Sequence, residues 1–193
     1  MPAGMRENES AAARTAGHLS SRPLGGVITP DGVRANQVED SQLDEYSGTY
    51  DIRWADLDAN GHVHYSAFID AAADLRYRFF AERGFPAEAF LKLGIGAVYS
   101  SLEAQFLREV RVGESISITY TLAGLSPKGT RWKIHHDIFK SNGKKAVVLD
   151  LEGVVLDLNS RRLTAPSPEL LAVFQQIPRS PAFETMPEGR SLG

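Results

Sequence analysis

The stretch that decides the fold is residues 54–83, which read WADLDANGHVHYSAFIDAAADLRYRFFAER. From about Tyr65 to Arg83 its apolar residues recur at steps of three and four, which is the spacing of one helical face. This face consists of Phe68, Ala72, Leu75 and Phe79, widened by Ile69, Ala73 and Phe80. Gly84 follows and suits the left-handed residue that ends many helices. The stretch therefore predicts a turn followed by one long amphipathic helix.

Alternating apolar and polar residues predict strands on both sides of this helix. Tyr50, Ile52 and Trp54 alternate with polar neighbours before it. After a short connecting segment, Pro86 to Leu93, with one or two helical turns, four alternating runs predict strands in a meander. These runs are 98–106, 116–122, 132–138 and 147–158, with turns at Ser126–Gly129 and Asn142-Gly143. The apolar phase of the last run shifts at Gly153, which predicts a β-bulge there.

A short final helix should begin at Ser167-Pro168-Glu169, where a cap residue precedes a proline and an acid. The order of elements predicts an α+β domain in which a five-stranded antiparallel sheet curls around one long helix. One helix does not cover a whole sheet face. We therefore expect a second copy of the chain to pack against the first, as a homodimer or a dimer of dimers.

Composition excludes several classes of function. The chain has 193 residues and a net charge of −3, so no overall positive field attracts nucleic acid. It has no cysteine, which rules out a disulfide framework, a thiol nucleophile and a thiolate zinc site. No apolar run approaches the roughly 20 residues that span a bilayer. A cytoplasmic protein without a membrane span is the default expectation.

The two ends of the chain lack the periodicity of a core. Residues 1–45 are rich in Ala, Ser and Gly, and we interpret them as a disordered extension of the domain formed by residues 46–177. A mitochondrial transit peptide is the alternative, because arginines are spaced through this segment, although Glu7 and Glu9 argue against it. Residues 178–193 are interpreted as a flexible polar tail.

The turn before the long helix contains two carboxylates, a glycine and two histidines: Asp56, Asp58, Gly61, His62 and His64. Unpaired backbone N–H groups at a helix N-terminus favour a developing negative charge. A carboxylate beside them can act as a nucleophile or general base while the amides polarise a carbonyl group. An Asp-rich turn that merely caps the helix is an equally open interpretation of these residues alone.

The run Asp56-Leu57-Asp58-Ala59-Asn60-Gly61-His62-Val63, with an aromatic strand before it and a long helix after it, resembles the 4-hydroxybenzoyl-CoA thioesterase family of hotdog-fold proteins. The resemblance extends over residues 46–177. It implies hydrolysis of an acyl-CoA thioester, with Asp58 as the catalytic carboxylate and the backbone amide of Tyr65 polarising the thioester carbonyl. Asp56 is then a structural or electrostatic neighbour. No cofactor is implied.

Two further segments resemble the places where this family holds the CoA phosphates. One is the turn with Lys128, Gly129 and Thr130, and the other is the basic stretch that begins at Arg161 and Arg162. Lys and Arg meet phosphates through charge-assisted hydrogen bonds. We expect these five residues to contact the substrate, although solvated loop charges are the simpler interpretation of either segment alone.

Other functions fit the sequence less well. His62, His64, His135 and His136 invite a metal site, but their spacing completes no zinc pattern, and we expect none. His136 falls on the apolar face of its strand and should be a hydrogen-bonded core residue. Gly94-Ile95-Gly96 lacks the remainder of a dinucleotide fingerprint. A hotdog protein that binds or senses acyl-CoA without hydrolysing it remains the alternative function.

Overall fold

The computed structural model describes residues 45–188. Its strands are β1 (Tyr46–Asp51), β2 (Ile95–Phe106), β3 (Ser115–Leu125), β4 (Arg131–Lys140), β5 (Lys145–Asp157) and β6 (Arg179–Thr185). Its helices are α1 (Tyr65–Glu82), α2 (Ala87–Leu93) and α3 (Pro168–Gln175), and a 3-10 turn spans Trp54–Asp56. The α+β class is confirmed. The expectations for residues 1–44 and 189–193 lie outside the described residues and stay predictions.

The sheet differs from the predicted four-strand meander. Its order is β1-β3-β4-β5-β2, so only β3, β4 and β5 follow one another as neighbours. β2 comes before them in the chain but pairs with β5 at one edge, and β1 pairs with β3 at the other. The helices between β1 and β2 carry the chain from one sheet edge to the opposite one. The alternation of apolar and polar residues predicts a strand but does not show which other strand lies beside it.

The predicted flexible tail of residues 178–193 is wrong for its first part, because β6 makes a sixth strand. β1 covers β3 only from Ser115 to Tyr120, which leaves the rest of that edge without a partner from β1. β6 runs parallel to β3 there, and the N–H of Leu122 donates to the carbonyl of Pro178 at 2.8 Å. Pro181 is tolerated because an edge strand can lack one ladder donor. The unpaired edge of β3 therefore orders a segment whose own sequence carries no strand pattern.

Helix α1 packs against the sheet through the predicted stripe. Phe68, Ala72, Leu75 and Phe79 are all buried. The ring of Phe79 meets the ring of Tyr120 on β3 edge-on, with 5.2 Å between the ring centroids. Burial of each large apolar side chain contributes roughly 1.5–3 kcal/mol. Gly84 has a φ of 83° directly after the helix, which confirms the predicted left-handed residue.

Gly153 does not interrupt the phase of β5, which corrects the predicted bulge. Leu149, Leu151, Gly153 and Val155 all lie on the buried side of the strand. A Cβ on Gly153 would lie 2.0 Å from a ring carbon of Trp132, so the glycine makes room for the indole. The irregularity between the two strands falls in β2 instead, between Tyr99 and Ser101. The apparent phase shift reflects a close contact across the sheet.

No helix within residues 45–188 is long and apolar enough to cross a membrane.

Candidate functional site

The turn that carries Asp58 is held in place by the neighbouring carboxylate, Asp56. Asp56 is buried, and its Oδ2 accepts a hydrogen bond from the backbone N–H of Arg53 at 2.8 Å. The Arg53 guanidinium donates to its Oδ1 at 2.9 Å, and the Tyr50 hydroxyl donates to Oδ2 at 3.3 Å. The hydrogen bonds from the Arg53 side chain hold the pKa of Asp56 below its usual range. These contacts make Asp56 a structural anchor of the loop.

Asp58 is exposed, and its carboxylate is fixed by the backbone of its own turn. Oδ1 accepts hydrogen bonds from the N–H groups of Asn60 at 2.8 Å and His62 at 3.0 Å. The bond from His62 is the main reason why the pKa of Asp58 is lowered. Oδ2 has only the Asn60 amide at 3.5 Å, which is a weak contact. The side chain is therefore ionised at neutral pH and keeps one oxygen open.

The first turn of α1 supplies a free backbone donor. His64 caps the helix, and its Nδ1 accepts from the backbone N–H of Ala67 at 3.2 Å and from the Ser66 hydroxyl at 2.9 Å. This fixes the tautomer, because Nε2 then carries the hydrogen that faces the carbonyl of Ala55 at 3.3 Å. Within residues 45–188 the N–H of Tyr65, the first residue of α1, has no acceptor. It is available to a developing negative charge.

Asp58, His62, His64 and Tyr65 line one cavity of about 500 Å³. Its opposite wall is residues 106–110, a segment that the sequence analysis did not single out. Glu109 from this wall lies 3.0 Å from Nε2 of His62. The hydrogen bond from Arg111 is the main reason why the pKa of Glu109 is lowered. No local pattern marks Glu109, since it reaches the cavity only through contacts between distant segments.

The two expected phosphate-binding segments meet in the structure. The N–H of Val155 donates to the carbonyl of Thr130 at 2.9 Å, and the N–H of Thr164 donates to the carbonyl of Val155 at 3.0 Å. Gly129 has a φ of 70°, and a Cβ there would lie 3.0 Å from the Pro166 ring. The turn of residues 126–130 and the stretch of residues 161–166 therefore form one surface.

A carboxylate already occupies the turn of residues 126–130. Glu188 accepts a hydrogen bond from the backbone N–H of Lys128 at 2.6 Å and another from the Thr130 hydroxyl at 2.6 Å. The Thr130 bond is the main reason why the pKa of Glu188 is lowered. The turn thus offers donors suited to an anion. Arg161 and Arg162 are exposed beside it. Neither they nor the Lys128 ammonium forms an ion pair with any carboxylate of residues 45–188.

The catalytic candidates and the phosphate candidates lie at opposite ends of the sheet in one chain. At the Asp58 end, the last residue of β1, Asp51, pairs with the first residue of β3, Ser115. The Lys128 end is the end at which β3 finishes at Leu125, just before the Lys128 turn. The length of β3 separates these ends by about 30 Å. The structure therefore brings Asp58 together with Tyr65, and Lys128 together with the two arginines, but it does not join the two groups.

The two histidines of β4 have different surroundings. His136 is buried in the core as expected, and burial together with the nearby Arg76 guanidinium lowers its pKa to about 3. His135 points to the other face of β4, with its Nδ1 2.9 Å from Asp150. Within the part of the chain that the structure describes, no three His, Asp or Glu side chains form a group that could hold a metal ion.

A family model described as the thioesterase-like superfamily matches residues 52–174 of the 193. No curated protein matches the chain. A search of solved structures finds the same fold in many chains. A hypothetical protein of Staphylococcus aureus in complex with CoA has a TM-score of 0.65 at 16% identity, with 75% of this chain and 90% of that chain covered.

A 1,4-dihydroxy-2-naphthoyl-CoA thioesterase from Synechocystis has a TM-score of 0.62 at 11% identity, with 68% of this chain and 96% of that chain covered. A gentisyl-coenzyme A thioesterase has a TM-score of 0.58 at 17% identity, with coverage of 66% and 98%. These likenesses confirm the expected hotdog fold. They do not single out the 4-hydroxybenzoyl-CoA member of the superfamily.

Proposed function

Because the chain belongs to the thioesterase-like superfamily, we propose that it hydrolyses an acyl-CoA thioester to a free acid and CoA with Asp58 as the catalytic carboxylate. One observation carries the proposal. The open Oδ2 of an ionised Asp58 and the free N–H of Tyr65 share one cavity at the N-terminus of α1. This pairs a nucleophile or base with an oxyanion donor.

Asp58 has two possible roles in the reaction. As a nucleophile, its Oδ2 attacks the thioester carbonyl carbon, and the carbonyl oxygen becomes an oxyanion that the Tyr65 N–H stabilises. The C–S bond then breaks, the CoA sulfur leaves and is protonated, and water hydrolyses the mixed anhydride to the acid. As a general base, Asp58 takes a proton from the attacking water. The lowered pKa of Asp58 keeps its carboxylate ionised at neutral pH, which either role requires.

The Lys128 turn and the Arg161-Arg162 pair are proposed to hold the CoA phosphates for the cavity of another copy of the chain. They lie at the far end of the sheet from Asp58, so one chain does not present both groups to one thioester. β2 is an edge strand that exposes Tyr99, Leu102 and Phe106, and Leu107 directly after it is exposed as well. Antiparallel pairing of two β2 strands about a two-fold axis would set the Lys128 end of one copy beside the Asp58 end of the other.

The homodimer is tested at this edge strand. We expect Ser100→Lys together with Leu102→Lys, two exposed positions of β2 outside the Asp58 cavity, to produce a monomer in analytical ultracentrifugation and to abolish most hydrolysis. Thr49→Lys on β1 is the matched control, because it places a lysine on an exposed position of the opposite sheet edge. A double variant that remained a dimer with normal activity would reject β2 as the interface. A dimer of dimers would require a further contact.

Hydrolysis of a panel of acyl-CoA compounds by the full chain tests the function itself, with release of free thiol as the readout. We expect turnover of at least one compound and its loss in Asp58→Asn. Binding of acyl-CoA without any release of thiol would instead support the alternative, a non-catalytic hotdog binder or sensor. The panel also identifies the preferred acyl group.

A further inference from the structure

A second cavity, of about 460 Å³, lies against the C-terminal half of α1. Its walls come from α1, α2 and the first residues of β2 and β4, with Tyr120 of β3, Leu158 after β5 and Phe174 of α3. They share no residue with the cavity that contains Asp58. The walls are mainly apolar and include Phe80, Phe85, Phe90, Ile134 and Leu158. A concave apolar site with a few polar groups is the usual form of a small-molecule site.

One positive charge lies in the wall of this apolar cavity. Arg76 is only 7% exposed and belongs to the cavity lining. Its Nη1 donates to Nε2 of His136 at 2.9 Å, and its Nε donates to the Tyr99 hydroxyl at 3.1 Å. Nδ1 of His136 donates to the carbonyl of Thr119 at 2.6 Å, so His136 meets Arg76 as a neutral acceptor.

No negative charge balances this guanidinium. Among residues 45–188, no Asp or Glu forms an ion pair with Arg76. A guanidinium has five N–H donors, and hydrogen bonds to the described part of the chain use two of them. A buried charge without a counter-ion is costly, and proteins usually pair it.

A second donor in the cavity wall is also unused. Trp132 is buried and lines the cavity, and among residues 45–188 its indole Nε1 has no hydrogen-bond partner. Buried polar groups are nearly always satisfied, so such exceptions call for an explanation. Purely structural roles for Arg76, namely its bonds to His136 and Tyr99, leave both the remaining donors and the charge unexplained. A ligand that brings an anionic acceptor into the cavity accounts for both.

We propose that this cavity binds a ligand with an apolar body and a carboxylate, and that Arg76 holds the carboxylate. Guanidinium and carboxylate form the strongest common charge-assisted pair, and the apolar walls fit a hydrocarbon or aromatic body. Two sources share this chemistry. One is a free carboxylic acid, and the other is an acyl-CoA whose acyl group ends in a second carboxylate. The second source rests on the proposed thioesterase function, and the first does not.

Direct binding to the full chain tests the site without any hydrolysis. Octanoate and octan-1-ol have the same chain length and differ in charge. By isothermal titration calorimetry we expect octanoate to bind at least about tenfold more tightly, because a charge-assisted hydrogen bond is roughly twice as strong as a neutral one. This advantage should vanish in Arg76→Met. Equal affinities of the two probes, or no octanoate binding together with no preference in the acyl-CoA comparison below, would overturn the proposal.

A second pair of variants leaves Arg76 in place, in case Arg76→Met does not fold. Ala73 lines the cavity one helical turn before Arg76. In Ala73→Glu a tethered carboxylate at the i,i+3 position should pair with the guanidinium and remove the preference for octanoate. Ala73→Gln adds the same bulk without the charge and should keep the preference. Retention of the preference in Ala73→Glu would contradict the assignment to Arg76.

Hydrolysis of suberoyl-CoA and octanoyl-CoA distinguishes the two sources. Both acyl groups have eight carbons, and only the first carries a terminal carboxylate. A preference of about tenfold or more in kcat/KM for suberoyl-CoA that is lost in Ala73→Glu supports the acyl group as the source. No such preference, with octanoate binding retained, supports a free acid. Octanoate binding without turnover of any thioester would reject the proposed function while the carboxylate site stands.

Discussion

At the Asp58 end of the sheet the polar groups come mainly from one run of chain, residues 54–65. The Lys128 end combines segments that are distant in sequence. Glu188 completes its turn, and residues 161–166 form the neighbouring surface. The nearby cavity is lined by Arg76, Tyr99 and Trp132. One end is therefore a local structure and the other is an assembly of distant segments.

The electrostatics of the two ends differ in the same way. At the Asp58 end Asp56 and Asp58 accept hydrogen bonds from residues close to them in sequence, and their lowered pKa values follow mainly from those local bonds. At the Lys128 end there are cations without ion-pair partners among residues 45–188: Lys128, Arg161, Arg162 and Arg76. The proposed functions follow this difference, with catalysis at the Asp58 end and the binding of anionic groups at the Lys128 end.

The largest expected effect is that of Asp58→Asn, which breaks the Asp58 end alone. The amide keeps the size of the side chain but removes the charge, so kcat should fall by about a hundredfold or more. The melting temperature and the binding of octanoate should stay unchanged, since Asp58 is exposed and distant from the second cavity. Stopped-flow or steady-state hydrolysis with a melting curve measures this.

His62 and His64 are the competing catalysts in the same cavity, so they supply the comparison for Asp58→Asn. His64 caps the helix through Nδ1 and contacts the Ala55 carbonyl through Nε2, so His64→Ala should act mainly through stability. Near-normal turnover in Asp58→Asn, with activity abolished in a folded His64→Ala, would show that the carboxylate is not the catalyst.

Asp56→Asn should act on stability and much less on the chemical step. Loss of the buried, hydrogen-bonded charge should lower the free energy of unfolding by about 1–3 kcal/mol. Asp51→Asn, which changes an exposed carboxylate five residues earlier, is the control and should leave it unchanged. Urea unfolding of the three proteins decides this. If Asp56→Asn were as stable as the wild type but lacked activity, the structural role of Asp56 would be wrong.

The pH dependence of stability provides a second measure for Asp56. Its pKa is lowered in the folded chain, so its contribution is complete above the unfolded pKa of about 4 and is lost as the pH falls through the folded value. The wild type should therefore lose more stability than Asp56→Asn as the pH falls below about 4. If the two proteins lost the same stability on acidification, the expected contribution of Asp56 would be wrong.

The Lys128 end should respond in KM instead of kcat. We expect replacement of Lys128, Arg161 and Arg162 by Gln to raise KM by about tenfold, because distant phosphate contacts stabilise ground and transition states alike. Added salt should reduce the difference. Lys144→Gln, an exposed cation in the turn between β4 and β5, is the control. An unchanged KM in the triple variant would leave these three side chains as solvated charges.

The smallest expected effect is a decrease in KM in Glu188→Gln, opposite in sign to the increase expected for the triple variant. Glu188 accepts hydrogen bonds from the donors of the Lys128 turn, so it would compete with a CoA phosphate for them. Glu188→Gln should therefore lower KM by about two- to threefold, which is the size of an exposed charge interaction. Glu184→Gln changes an exposed acid of β6 that pairs with Lys133, and should have no effect. A higher KM in Glu188→Gln would mean that Glu188 shapes the turn for the ligand instead of competing with it.

The sequence predicted those parts of the fold that depend on near neighbours. The apolar stripe of α1, the left-handed Gly84 and the turn at Asn142-Gly143 are all present, because spacing and backbone preference act over a few residues. The α+β class follows from these elements. The place of β2 at a sheet edge, the strand β6 and the packing of Trp132 over Gly153 were missed, since each depends on which distant strand lies alongside.

The candidate sites divide along the same line. By itself the sequence determined the turn that holds Asp58, Asp56 and the cap His64, because their partners lie within nine residues. Only the tertiary structure decided that Glu109 faces His62, that Glu188 occupies the Lys128 turn, and that Arg76, without a carboxylate partner among residues 45–188, lines an apolar cavity. Burial and charge pairing across the core depend on every segment at once, and no local pattern encodes them.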